Sequence, residues 1–343
     1  MVRVCVLGHF AFGENLLNGQ TVKTKIISTE LERQLGLSEI RYIDTHGGIK
    51  FLLKTLCKLV CAFKECKNII IMPAQNGLKV FAPLCTALNN IFHRRVHYVV
   101  IGGWLPEYLE NEPKLEKCVS KLDVVYVETY NMKLKLNQMG LHNVTVMYNC
   151  KNLNIVDSID SFDKPYKLCT FSRVMREKGI EDAVDAVKYA NEALGEECYN
   201  LDIYGQIDEN QKQWFEELSR KFPSYVRYGG LVSFDNTTDV LKRYFALLFP
   251  TFYEGEGFAG TAIDAFAAGI PVIASDWKYN SEIIQDGRNG KLFPSKDYKK
   301  LAEILIEFAK NPSECYSLRP QCISDAHSYK PDVVLKVLFD NLD

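Results

Sequence analysis

No stretch of the sequence stays apolar for the roughly 20 residues that a membrane-spanning helix needs. The opening run Met1-Val2-Arg3-Val4-Cys5-Val6-Leu7 is broken by Gly8, too early for a signal peptide. Charge of one sign is lacking too: 41 Lys and Arg face 43 Asp and Glu, a formal net of −2. That balance excludes a nucleic-acid binder working through bulk positive charge. The 11 cysteines are odd in number and contain no Cys-x-x-Cys, unlike the disulfide framework of a small secreted domain. Cys57 and Cys61 lie one helical turn apart, but no histidine follows at zinc-finger spacing, and they read as buried free thiols. Asp-x-Asp, Gly-x-Ser-x-Gly, a Walker loop and His-Glu-x-x-His are all missing. These absences point to a reduced, cytoplasmic protein without an evident magnesium or zinc site.

What is present is the mixture of a globular enzyme, 343 residues with 47% hydrophobic and 24% charged, long enough for about two domains. The halves differ in charge: residues 1–165 carry 20 Lys and Arg against 15 Asp and Glu, residues 166–343 carry 21 against 28. Short apolar runs at 2–7, 40–43, 68–72, 96–101, 124–127 and 144–147 read as strands, separated by helical patterns such as 51–63 and 114–120. Residues 151–166 are polar and acidic and contain a proline, as an interdomain linker does. The alternation then restarts with strands at 167–172, 200–204, 226–228, 246–249 and 271–274. Ile180, Ala183, Val184, Val187 and Leu194 form a helical stripe closed by Gly195. The pattern predicts an α/β protein with two Rossmann-like, doubly wound parallel-sheet domains in tandem, at 1–165 and 166–329. Residues 330–343 add a last helix over 330–342.

The densest chemical signal is Glu254-Gly255-Glu256-Gly257-Phe258-Ala259-Gly260-Thr261-Ala262-Ile263-Asp264, leading from a strand into a helix that Gly269 ends. Glycines there let a ligand approach the backbone, and the helix's first N–H groups and dipole suit phosphate. Carboxylates beside such a site suit sugar hydroxyls. The same stretch spells the G-x-G-x-x-G of dinucleotide binding, with Asp276 about 20 residues on. Against that reading, Thr251 to Glu254 intervene after the strand, and Glu256 stands between the glycines that should meet a pyrophosphate. A second cluster, Ser172-Arg173-Val174-Met175-Arg176-Glu177-Lys178-Gly179, follows a strand and offers one forked and one point cation for a diphosphate. A third, Gly8-His9-Phe10-Ala11-Phe12-Gly13 and Asn18-Gly19-Gln20-Thr21, brings glycine just ahead of a helix.

At these residues the sequence resembles the glycosyltransferases of family 4, retaining nucleotide-sugar enzymes with the GT-B fold, most clearly over 167–295. The family's two glutamates, with seven residues between them, match Glu256 and Asp264, the second one methylene shorter. The resemblance implies that Glu256 holds donor-sugar hydroxyls and that Asp264 addresses the ribose. It also implies that the Gly260 and Thr261 amides meet the phosphates, and that Arg173 and Lys178 neutralise the diphosphate. Gly19 would approach those phosphates from the first domain, with further donor contacts from Gly205, Gly257 and Phe258. Catalysis would rest on Glu256, Arg173 and Lys178. The stretch Gly269-Ile270-Pro271-Val272-Ile273-Ala274, Glu282, 287–290 and the terminal helix, packing back on the first domain, also resemble the family. Many members place a histidine of the first domain near the reacting carbon. Here the comparable loop is Ile101-Gly102-Gly103-Trp104-Leu105, with histidines at His93 and His97, and that role stays unassigned.

The implied function is hexosyl transfer from a UDP- or GDP-linked sugar to a hydroxyl of a glycan or lipid-linked glycan, as in polysaccharide biosynthesis, with no metal or other cofactor. A nucleotide-sugar epimerase of the same fold and an NAD-dependent oxidoreductase are the alternatives. Lys50, Lys54 and Lys58 recur every four residues on an apolar segment. That face is either the solvated side of a sheet-covering helix or a peripheral contact with the inner face of a membrane.

Overall fold

The computed structural model describes residues 2–13, 19–46, 52–158, 161–233 and 236–342. The chain forms two compact units, Met1–Asn152 with Lys330–Asp343, and Leu153–Tyr329.

Unit 1 is built on β1 (Val2–Gly8), β2 (Ile40–Asp44), β3 (Cys66–Ile71), β4 (Arg95–Val99), β5 (Val124–Val127) and β6 (Val144–Val146). Their order is β2-β1-β3-β4-β5-β6, and every pair is parallel. Helices cover the sheet, so β1 is buried continuously from Val4 onward rather than at alternate residues. Val4, Val6, Ile27, Leu31 and Ile70 share one core with Val334, Leu335, Leu338 and Leu342 of the C-terminal segment. That segment is not the single helix expected over 330–342. It forms two short helices, Pro331–Val334 and Lys336–Phe339, and the turn at Leu335 lets Val334 and Leu335 both reach the core.

The helix Leu52–Glu65 turns Thr55, Leu59, Ala62 and Phe63 inward. Lys54, Cys57, Lys58 and Cys61 therefore face outward, and Cys57 and Cys61 are exposed thiols rather than buried ones. All 11 cysteines are free. Asn18, Lys50 and Phe51 of the expected loop and basic helix lie outside the described residues.

Unit 2 contains β7 (Tyr166–Phe171), β8 (Tyr199–Tyr204), β9 (Val226–Gly230), β10 (Ala246–Phe249), β11 (Val272–Asp276) and β12 (Gly290–Pro294). The order is β12-β11-β10-β7-β8-β9, again all parallel. Only β12 has no counterpart among the expected strands, since it starts at a glycine and ends at a proline. A Cβ on Gly290 would stand 2.1 Å from the Val272 carbonyl oxygen, so glycine is what lets β12 pair with β11. The stripe Ile180, Ala183, Val184 and Val187 is buried on the helix Ile180–Leu194, with Glu181 and Asp182 in its first turn and Gly195 in the left-handed region at its end.

The chain changes unit at Asn152, ahead of the sequence boundary at 165. Leu153 and Ile155 pack on the unit 2 core, the Val156 N–H bonds the Ala267 carbonyl, and Tyr316 bonds the Phe162 backbone. Among the described residues no helix is long and apolar enough to cross a membrane.

Candidate active site

In unit 2 the chemistry gathers where β7 and β10 end. Beyond β7 the chain passes Ser172 and Arg173, makes one 3-10 turn over Arg176–Lys178, and enters the helix Ile180–Leu194 through Gly179. Gly179 has φ +69°, and a Cβ there would lie 2.1 Å from the Pro250 carbonyl oxygen, so only glycine lets this turn press against the loop after β10. The Phe252 N–H also bonds the Glu177 carbonyl at 2.8 Å. The two loops are thereby fixed side by side.

Across that seam Lys178 Nζ meets Glu256 Oε2 at 2.6 Å, both side chains nearly buried. Thr251 Oγ1 donates to the same oxygen at 2.8 Å. Both bonds end on Oε2, and Oε1 takes no hydrogen bond from a described residue. Lys178 Nζ also lies 4.9 Å from the centre of the Tyr253 ring, and the Arg173 guanidinium 5.9 Å from it. Arg173 is half exposed and only loosely held, with its Nη1 3.5 Å from Asp208 Oδ2. The structure thus brings Lys178 and Glu256 into direct contact and sets Arg173 near the same Tyr253 ring as Lys178.

The helix Gly260–Ala267 follows at once. Its N-cap is Ala259, which has no side chain able to cap; the Ala262 N–H bonds the Ala259 carbonyl at 3.0 Å, and the Gly260 and Thr261 N–H groups have no partner among the described residues. Thr261 Oγ1 is buried with no hydrogen-bond partner among the described residues. An acceptor-rich ligand at the helix start would satisfy both. Asp264 is one turn further in, 6% exposed. Gly257 is buried in the turn, while Phe258 points its ring into the core, 5.2 Å from the Tyr329 ring, and has only its backbone to offer a ligand.

Gly205 follows β8 with φ +134°, and a Cβ would stand 1.7 Å from the Ser172 carbonyl oxygen. Beside it Asp202 accepts from Arg227 Nε at 2.6 Å, from its Nη2 at 3.0 Å, and from the Tyr244 hydroxyl at 2.6 Å. Burial pushes the Asp202 carboxyl up, but the Arg227 and Tyr244 bonds outweigh it and hold it below the usual range. Burial, and the bond to that carboxylate, push the Tyr244 hydroxyl well up. This set ties β8, β9 and the approach to β10 together beneath the site.

In unit 1, Gly19 is the first residue of the helix Gly19–Leu35 and has open space around its Cα. His97 is fully buried in β4, with its ring nitrogens 3.2 Å from the Tyr126 hydroxyl and the Asn68 side-chain oxygen, so it serves packing. His93 ends the helix Gln75–Phe92 in the left-handed region. The loop of residues 101–105 is pinned by the Gly102 N–H on Glu128 Oε2 at 3.2 Å. Instead His9, just past β1, has Nδ1 2.8 Å from Thr21 Oγ1 and Nε2 3.2 Å from His46 Nδ1. Sequence reasoning missed this pair, and it missed Thr251 and Tyr253, because no spacing rule links residues five positions apart in a loop or on separate strand ends.

The geometry weakens the dinucleotide reading. Glu256, at the first x-position of that pattern, is locked to Lys178, and β10 ends at Phe249, well before Gly255. Comparison with known proteins agrees. The chain is 31% identical over 224 residues to the UDP-N-acetylglucosamine–peptide N-acetylglucosaminyltransferase GtfA subunit of Streptococcus gordonii, a match covering 61% of this chain and 41% of that protein. It is 30% identical over 168 residues to the corresponding subunit of Streptococcus agalactiae, covering 49% and 32%. The chain thus matches well under half the length of these relatives. Among solved structures it aligns over 99% of both chains with Anabaena HepE in complex with UDP and glucose, at TM-score 0.75 and 14% identity. With sucrose-phosphate synthase from Thermosynechococcus elongatus the TM-score is 0.76 at 16% identity, covering 98% and 97%. The two six-stranded parallel sheets are those of the GT-B fold. The family described as glycosyl transferases group 1 matches residues 153–327, half of the chain and all the candidate-site residues of unit 2, and the chain belongs to that family.

Proposed function

We propose that the chain moves a hexosyl unit from a nucleoside-diphosphate sugar to a hydroxyl of a glycan or lipid-linked glycan, with retention at the anomeric carbon, in the manner of family 4 and without a metal. The observation that carries this reading is the Lys178–Glu256–Thr251 arrangement beside an uncapped helix start. Glu256 Oε1 remains to accept from a sugar hydroxyl, while Lys178, Arg173 and the N–H groups at Gly260 and Thr261 face charge on the leaving diphosphate. Asp264 is the ribose-side carboxylate of this reading. The S. gordonii relative, named for a UDP-sugar, and HepE, solved with UDP, favour uridine over guanosine.

In the reaction the bond from the anomeric carbon to the diphosphate oxygen breaks, and the electron pair leaves with the diphosphate. The acceptor oxygen bonds the same face of the oxocarbenium-like carbon, and its proton passes to a diphosphate oxygen. Lys178 and Arg173 do their work at that departing oxygen.

A panel of UDP-, GDP- and ADP-sugars tests the reading, followed by donor hydrolysis or transfer in the presence of EDTA. Arg173→Ala should lower turnover of the preferred donor by about 10²–10³, the cost of losing one preorganised charge-stabilising donor. Full activity in that variant, or loss of activity with EDTA, overturns the proposal, and the anomer formed, read by NMR, decides retention.

A further inference from the structure

Cys57 and Cys61 take part in neither the site of unit 2 nor the core of unit 1. Of the 11 cysteines, eight are buried, Cys118 is half-buried, and only these two are exposed. Both lie on the outer face of the helix Leu52–Glu65, whose inner side is Thr55, Leu59, Ala62 and Phe63. Four residues apart on a helix, they are neighbours, with Cβ atoms about 5–6 Å apart.

That spacing decides what the pair can do. A disulfide needs its Cβ atoms about 3.5–4.5 Å apart, so the two sulfurs cannot bond each other while the turn stays helical. One ion between them fits instead. Two metal–sulfur bonds of about 2.3 Å each set the sulfurs roughly 4–5 Å apart, within reach of side chains one turn apart. Among the described residues no group of three or more His, Cys, Asp or Glu side chains is placed to hold a metal. Glu65, one turn beyond Cys61, is ion-paired with Arg41. Zinc, which closes its structural sites with four ligands, is therefore left short of partners, whereas a soft monovalent cation is satisfied by two thiolates. Such an ion with two thiolates makes a singly negative complex. Lys54 and Lys58 each stand three residues before one of the thiols and Lys64 three after Cys61, all exposed, so positive charge flanks it.

We propose that Cys57 and Cys61 form a two-coordinate site for a soft monovalent metal ion of the copper(I) class. Each thiol releases its proton to solvent as its sulfur bonds the ion. One ion and two thiols thus give one anionic dithiolate complex and two protons, with no change of oxidation state. The proposal does not depend on the transferase reading.

The test is an anaerobic titration of the full chain with copper(I) against a competing chromophoric chelator. One ion per chain should bind. Cys57→Ser and Cys61→Ser should each weaken binding by about 10²-fold or more, the loss of an intramolecular second ligand, while Cys118→Ser leaves it unchanged. Cys61→Ser combined with Lys64→Cys keeps two thiols on the helix but sets them two turns, about 10 Å, apart, and should bind as weakly as the single variants. In the wild-type chain copper(I) should protect Cys57 and Cys61 together from alkylation by iodoacetamide, read by peptide mass spectrometry, a measurement that needs no variant to fold. Serine variants that bind as the wild type does, a displaced pair that binds as tightly, protection of one thiol alone or of neither, or preference for zinc with two chains per ion each overturns the proposal.

Discussion

Among the described residues each unit has one nearly buried lysine–glutamate pair, and the two pairs differ in what their carboxylates have left to give. In unit 1, Lys23 Nζ bonds Glu128 Oε1 at 2.5 Å and the Gly102 N–H bonds Oε2, so both oxygens are used inside the protein. In unit 2, Lys178 and Thr251 share Oε2 of Glu256 and leave Oε1 open. The first arrangement joins a helix to the loop after β5; the second holds a carboxylate ready for something outside the chain. Burial and ion pairing alone would not separate them. The hydrogen bonds around each oxygen do.

That contrast can be broken by neutralising Glu128. Glu128→Gln strands the Lys23 ammonium, whose side chain is 4% exposed, and should cost about 3–5 kcal/mol, the usual penalty for removing one partner of a buried pair. The measurement is the urea midpoint of the unfolding transition, with donor hydrolysis assayed in parallel. Lys23→Met with Glu128→Leu should recover most of the loss, since well-packed apolar groups replace such pairs at little cost. Donor hydrolysis falling far more than stability would place Glu128 in the chemistry and erase the distinction.

Glycines sharpen the comparison. Gly36 in unit 1 has φ +86° with nothing within 4 Å of a built Cβ, whereas Gly205 in unit 2 has φ +134° with the Ser172 carbonyl 1.7 Å away. Gly205→Ala should cost about 1–3 kcal/mol from backbone strain, with the steric overlap adding to it. Gly36→Ala should cost only about 1–2 kcal/mol, the penalty for a left-handed Cβ. Equal midpoints for the two variants would mean that the close approach of β8 to the Arg173 loop contributes nothing.

The two units also differ in how far their sequences could be read. In unit 2 the site is local: Glu256, Gly260, Thr261 and Asp264 lie on one loop and the helix it enters, so residue type and spacing expose them. The direct bond from Lys178 to Glu256 is not local, and nothing in either loop announces it. Thr251 stays hidden because a threonine after a strand has many uses. In unit 1 the strands could be read from their apolar runs, but the helix Gln75–Phe92 contains Gly77 and Pro83 and reads poorly as one. Gly77 sits against the Pro73 side chain, 2.9 Å from a built Cβ, a close approach visible only in three dimensions.

The smallest effect concerns Asp202, which is buried yet paired with a largely exposed Arg227. Its carboxyl is held below the unfolded value, so it binds a proton less readily in the folded protein than in the unfolded one. The stability it contributes is therefore fully present above the unfolded pKa of about 3.9, and is lost as pH falls through the folded value. Screening at Arg227 should keep the contribution to about 1 kcal/mol or less. Asp202→Asn should accordingly lower the urea midpoint slightly at pH 6, with the gap to wild type closing below about pH 4. A gap that stays constant into acid would assign the loss to packing around Tyr244 rather than to charge. The hydrogen-bonded chain from Tyr204 through Tyr244 to Asp202 would then be a structural brace like the Lys23–Glu128 pair, and the two pairs would differ in what Glu256 has left to give.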